Sequence, residues 1–131
     1  MSNRGVEDAF GFLNIKKVPE HFDLLNNLED GVKMYIRHVY NNSKVVIQVD
    51  SDVDGFTSAA EFINYSNKLF PHFTQNNISF ILHDEKSHGL AIDKIPEDVK
   101  LIVIPDAGSS EYEIHRQFKE RGCDILVIDH H

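Results

Sequence analysis

Three short apolar runs in this chain each break off on an acidic residue. Val45-Val46-Ile47-Gln48-Val49 leads into Asp50-Ser51-Asp52-Val53-Asp54-Gly55, Leu101-Ile102-Val103-Ile104-Pro105 into Asp106-Ala107-Gly108, and Ile125-Leu126-Val127-Ile128 into Asp129-His130-His131. Such β-branched runs, bounded by turn residues, predict strands over 44–49, 100–104 and 123–128, with a further one at Ile78–Leu82. Between them the apolar period lengthens to that of a helix. Val32, Tyr35, Ile36 and Val39 share one face of a helix expected from about Glu29 to Tyr40 and ended by Asn41-Asn42. Ala60, Phe62, Ile63 and Leu69 predict a second, from about Thr57 to Phe70, which Pro71 stops. Ser110-Glu111-Tyr112-Glu113 has the form of a capping box opening a third helix, and Gly122 closes it. Strand and helix alternate over short links, so the expected fold class is α/β: a parallel sheet of about four to five strands with flanking helices, preceded by a helical N-terminal segment. Carboxyl ends of parallel strands face one crevice. The acidic run ends would then converge there with two imidazoles, an arrangement that repels itself unless divalent cations occupy it.

Bulk properties narrow this picture only slightly. The chain of 131 residues, 41% hydrophobic and 26% charged, is that of one soluble globular domain. No apolar run approaches the roughly 20 residues of a membrane helix, and residues 1–8 lack the apolar core of a signal peptide, so a cytoplasmic protein without membrane contact is expected. Cys123 has no second cysteine to pair with and reads as a buried thiol in a reducing compartment. The net charge of −8, without a lysine or arginine cluster, argues against a basic surface that tracks phosphates. Part of that acidity is the carboxylate cluster itself, which bound metal would neutralise, so nucleic acid stays open as a partner.

The first acidic motif has rival readings. Asp50-x-Asp52-x-Asp54-Gly55 with Glu61 matches an EF-hand calcium loop at each fixed position. An EF-hand loop is entered from a helix, whereas four of the five residues from Val45 to Val49 are β-branched. It also leaves Asp106 and the histidine pair unused, and imidazole suits manganese, iron or zinc better than calcium. A haloacid-dehalogenase-type phosphatase begins with Asp-x-Asp too, but wants a hydroxyl or small apolar residue at the place of Asp54. The plainer alternatives are an Asx-rich turn at 50–54, a helix cap at Asp106, a disordered end or tag at His130-His131, and an exposed loop residue at His88. Tyr35, Phe62 and Phe118 read as core packing, and His21, His38, His72 and His115 as helix-face or surface residues without a role.

Taken together, Asp-x-Asp-x-Asp-Gly-x-Thr-Ser from Asp50 to Ser58, Asp-x-Gly from Asp106 and Asp-His-His from Asp129 resemble motifs I, II and III of the DHH phosphoesterases. Arg4-Gly5, Phe12-Leu13-Asn14, an amphipathic helix and the first motif are similar to the start of RecJ-type single-stranded-DNA exonucleases, and the resemblance covers nearly the whole chain. It implies a helical segment over 1–42 and the N-terminal part of a DHH domain over 43–131. It further implies two Mn²⁺ ions side by side, with Mg²⁺ as an alternative. Asp50 would hold one ion and Asp52 the other, Asp54 would support the first, Asp106 would bridge the pair, and His130 would bind the second. His131 would face the scissile phosphate, making it and Asp106 the catalytic residues, while Asp129 would orient the histidines. Thr57, Ser58, His88 and Gly89 would touch substrate, with help from amides at the start of the Thr57 helix. The implied activity is Mn²⁺-dependent 5′–3′ hydrolysis of single-stranded DNA in repair and recombination. The motifs alone support metal-dependent phosphoester hydrolysis. An oligoribonucleotide or cyclic-dinucleotide phosphodiesterase, a non-catalytic RecJ-like scaffold and an EF-hand-type calcium binder are the alternatives.

The chain departs from the family pattern in three places. Ala107 stands where Asp-Asn-Gly is usual, and His83-Asp84-Glu85-Lys86-Ser87-His88-Gly89-Leu90 keeps only Gly-Leu of an expected Arg-x-x-x-Gly-Tyr-Gly-Leu. The fourth motif and the C-terminal substrate domain would lie beyond His131. The expectation is therefore an incomplete domain that binds one Mn²⁺ better than two and has little nuclease activity alone.

Overall fold

The computed structural model describes residues 25–82 and 94–129. The chain divides into two units, Met1–Asp30 and Gly31–His131. Of the first, residues 25–30 are described: a turn through Asn27, at φ 57°, into the start of helix α1. The elements in order are α1 (Leu28–Tyr40), β1 (Lys44–Val49), α2 (Val53–Leu69), α3 (Pro71–Asn77), β2 (Ile78–Leu82), β3 (Val99–Pro105), α4 (Tyr112–Glu120) and β4 (Asp124–Ile128). The strands form one parallel sheet in the order β2-β1-β3-β4. This is the α/β architecture with flanking helices that the alternating pattern predicts. Among the described residues, no helix is long and apolar enough to cross a membrane.

The two central strands are apolar on both faces, and helices pack against both. β1 is buried from Val45 to Val49, and β3 throughout except at Lys100. Val45, Ile47, Val49, Leu101 and Val103 point to a core closed by Met34, Tyr35 and Val39 of α1, Ala59, Phe62 and Ile63 of α2, and Phe73 of α3. Val46, Ile102 and Ile104 point the other way, against Phe118 and Ile114 of α4. A register shift between Lys44 and Val45 puts Val99 with the second set, two-residue alternation notwithstanding.

Several helix details differ from the sequence expectation. In α1 the buried stripe is rotated toward Met34 and His38, and Val32 is 52% exposed. His38, expected to be without a role, is buried with its Nε2 3.0 Å from Asp124 Oδ2, which also accepts from the Arg37 guanidinium at 2.6 Å. Asp124 opens β4, so this cluster fastens the last turn of α1 to the outer strand. α2 begins four residues earlier than expected, because Asp52 caps it: Asp52 Oδ1 accepts from the Gly55 amide at 2.8 Å. Pro71 does end α2, but it also opens α3, where the missing N–H of an N1 proline costs nothing. The Ser110 capping box does not form; α4 starts from Glu111 with no side-chain cap.

The helix ends follow expectation. Gly122, at φ 71°, closes α4 with its amide on Lys119 O (3.0 Å) and the Cys123 amide on Phe118 O (3.0 Å). Asn42, at φ 49°, closes α1 in the same way, through Asn42 N to Val39 O (3.1 Å) and Ser43 N to His38 O (3.0 Å). Both are Schellman motifs with a left-handed residue in the position that requires one.

Candidate metal centre

All four strands run the same way, so the residues after β1, β3 and β4 leave one end of the sheet, and these three strands are neighbours. Ile47–Val103 is the last pair of the β1–β3 ladder, and Asp50 and Asp106 each lie three residues beyond it. Pro105 pairs with Ile128, and the next step sets Asp106 beside Asp129. The Asp106 amide donates to Ile128 O at 2.7 Å, continuing the ladder into the loop. Three carboxylates thus follow three adjacent strands. The chain runs outward from β1 to β2 and then returns to β3 on the other side of β1, so Asp50 and Asp106 flank the topological switch point, where open α/β sheets bind ligands.

Local geometry shows how each loop is held. Asp106 is buried (9% exposed) and has φ 66°, a left-handed conformation that aspartate tolerates better than most side chains. Two residues on, Gly108 has φ 87°, and the Ser109 amide donates to Asp129 Oδ2 at 3.2 Å, binding the β3 loop to the end of β4. In the first loop Asp50 Oδ1 accepts from the Ser51 amide at 2.9 Å. Gly55 is buried, and a Cβ there would lie 2.6 Å from Asp50 Cβ and 2.9 Å from Asp50 O. Only glycine lets the first turn of α2 sit this close to the end of β1.

Of the residues expected at the site, Asp50, Asp106 and Asp129 follow the ends of three adjacent strands. Asp52 and Asp54 are exposed at the start of α2. Thr57 lies in the second turn, where its hydroxyl donates to Val53 O (2.6 Å) and Asp54 O (3.1 Å); Ser58 follows it, half-buried. The earlier helix start means that the phosphate-binding amides expected at Thr57 belong to residues ahead of it. His88, Gly89, His130 and His131 lie outside the described residues. Among the described residues, no three His, Cys, Asp or Glu side chains form a group ready to hold a metal. The donor chemistry nonetheless fits a hard divalent cation. Segments 50–57 and 106–113 carry four aspartates, two glutamates and no lysine or arginine, so nothing within them offsets the negative charge.

Two features are not legible in the sequence. Gly55 shows there only as part of a motif, and its packing role needs the third dimension. Val53 and Phe56 interleave with the aspartates, whose charge masks them. The EF-hand reading fails on geometry: the segment from Asp50 is entered from β1, and from Val53 onward, Glu61 included, it is helix.

An open parallel sheet with acidic residues following its strand ends beside a switch point defines a class of α/β ligand-binding domains, and comparison with known proteins makes the class specific. Residues 44–131 match the N-terminal domain of the DHH family, and the chain belongs to that family. It is 46% identical over 132 residues to YorK of Bacillus subtilis (strain 168), named as an SPbeta prophage-derived single-strand DNA-specific exonuclease, with all of this chain and 22% of YorK covered. It is 28% identical over 113 residues to the single-stranded-DNA-specific exonuclease RecJ of Haemophilus influenzae, covering 82% of this chain and 19% of that protein. A crystal structure of exonuclease RecJ bound to manganese superposes with a TM-score of 0.68 at 20% identity, over 82% of this chain and 28% of that one, which shows a shared fold. The chain spans 22% or less of the length of these curated relatives.

Proposed function

We propose that this chain carries the N-terminal motifs of a divalent-cation-dependent phosphodiesterase acting on single-stranded DNA, with Mn²⁺ as the cation and cleavage from the 5′ end. The observation that carries the reading is that Asp50, Asp106 and Asp129 follow the ends of three adjacent parallel strands, at the switch point. The relatives named as single-strand DNA-specific exonucleases supply the substrate class. In this reading residues 43–131 are the N-terminal part of the DHH domain and 1–42 a helical segment before it.

The residues divide the work by position. Asp50 would hold one cation and Asp52 the other, Asp54 would support the first, Asp106 would serve both, and His130 would bind the second. Asp52 keeps one oxygen on the Gly55 amide, which fixes its carboxylate, and offers the other outward. Asp129 orients the histidines that follow it and, through the Ser109 amide, the loop that carries Asp106. His131 holds a non-bridging phosphate oxygen or carries a proton, with Thr57, Ser58, His88 and Gly89 along the substrate. When bound, the cations supply a nucleophilic water at neutral pH and stabilise charge on the phosphoryl oxygens.

Calorimetric titration of this chain with Mn²⁺, followed by digestion of 5′-labelled single strands, tests the reading. Asp106→Ala should weaken Mn²⁺ binding by at least about tenfold, the effect expected when even an outer partner of a metal site is lost. Asp98→Ala, at an exposed carboxylate paired with Lys44 at the opposite end of the sheet, should leave it unchanged. Equal binding by wild type and Asp106→Ala would contradict the assignment.

A further inference from the structure

The carboxyl end of the sheet carries apolar surface as well as charge. Val53 is 76% exposed and Phe56 49% exposed. They are three residues apart in the first turn of α2 and therefore on one side of it. Neither joins a core cluster; α2 contributes Ala59, Phe62 and Ile63 to the interior instead. The turn that holds them is fixed, because the Phe56 amide donates to Asp52 O at 3.1 Å and Gly55 lies against Asp50. The Phe56 ring is thus held half-exposed among three aspartates, outside either core cluster.

The charge pattern identifies what the ring can bind. Segments 50–57 and 106–113 contain no lysine or arginine, so these two loops offer a nucleic-acid strand no phosphate neutralisation of their own. What the first turn of α2 does offer a strand, beside the cation, is contact with the faces of its bases, which aromatic side chains provide in single-strand binders. We propose that Phe56, flanked by Val53, is the platform on which a base of a single strand stacks while the neighbouring phosphate reaches the Asp50–Asp106 site. The inference rests on the function proposed above and gives it a source of specificity. Bases in a duplex are stacked on one another and offer no free face, so a contact of this kind selects single strands.

The chain contains no tryptophan, which makes the test direct. Phe56→Trp introduces one indole at the proposed contact. In Mn²⁺ its fluorescence should be quenched by a phosphorothioate oligothymidylate and not by an abasic oligomer with the same linkages. Phe56→Ala should weaken oligothymidylate binding, measured by anisotropy, about tenfold and leave binding of the abasic oligomer unchanged, as expected for a lost base stack. Tyr65→Ala is the control: Tyr65 is 64% exposed but lies nine residues further along α2, about 13 Å down the axis, and its loss should change nothing. Unaltered binding by Phe56→Ala, or an introduced indole that the oligothymidylate fails to quench, would overturn the inference. If Mn²⁺-dependent binding sensitive to Asp106→Ala persisted, the proposed function would survive that result. If neither oligomer bound in a Mn²⁺-dependent way, the function and the inference would fall together.

Discussion

Gly55 and Cys123 show how single residues are committed by their surroundings. A methyl group at position 55 would fall 2.6 Å from Asp50 Cβ and 2.9 Å from its carbonyl oxygen, neither of which can swing aside. Gly55→Ala should therefore cost about 1–3 kcal/mol in urea unfolding and displace Asp50, weakening Mn²⁺ binding as well. Cys123 is buried, and burial, reinforced by the neighbouring Asp124 carboxylate, pushes its thiol up to about 11 from an ordinary 9.0. Above pH 9 the unfolded chain releases this proton while the native chain keeps it. The contribution to stability is thus full below pH 9 and lost as pH rises to about 11. Thermal midpoints measured across that window should fall less steeply for Cys123→Ala than for wild type. The buried thiol is legible from one cysteine beside an apolar run. The burial of His38 is not, because its partner Asp124 is 86 residues away in sequence. Asp52 reads as a ligand in the sequence; its cap bond to Gly55 shows that the same carboxylate also starts a helix.

At the scale of elements, the strands are the most legible. β1 and β2 end where the apolar runs end, and β3 extends one residue beyond expectation at each side. Buried parallel strands need apolar residues on both faces, which leaves an unbroken signature. The helices are less legible at their starts, where a capping aspartate looks the same as a ligating one. α3 is hidden behind Pro71, which stops one helix and opens the next. The packing of α1, α2 and α3 is tied by a polar chain absent from any periodicity: Tyr35 OH bonds to Ser66 Oγ, which is 2.8 Å from Thr74 Oγ1, with Tyr35 set edge-on to Phe62 and Phe73. Ser66→Ala should strand both partners in a largely buried site and cost about 1–3 kcal/mol. Its urea midpoint should fall with an unchanged slope, and adding Thr74→Val should cost less than the sum of the two changes. Gly122→Ala puts a side chain at φ 71° with nothing nearby to clash, so its cost should be the left-handed conformation alone, about 1 kcal/mol.

For the whole molecule, the central claim is positional. Three acidic residues that lie 56 and 23 positions apart in the chain are brought to the ends of adjacent strands by the order of the sheet. The sequence shows that each run ends in a carboxylate. It does not show that β4 lies next to β3, or that the switch point falls between β1 and β3. The most direct test is the ¹⁵N–¹H spectrum of this chain titrated with substoichiometric Mn²⁺, whose paramagnetism broadens nearby amides. Broadening should begin at residues 50–57, 106–109 and 129 and spare 44–46, 98–101 and 122–125 at the other end. Broadening centred on Asp98 or Asp124, or spread evenly over the acidic surface, would contradict the account.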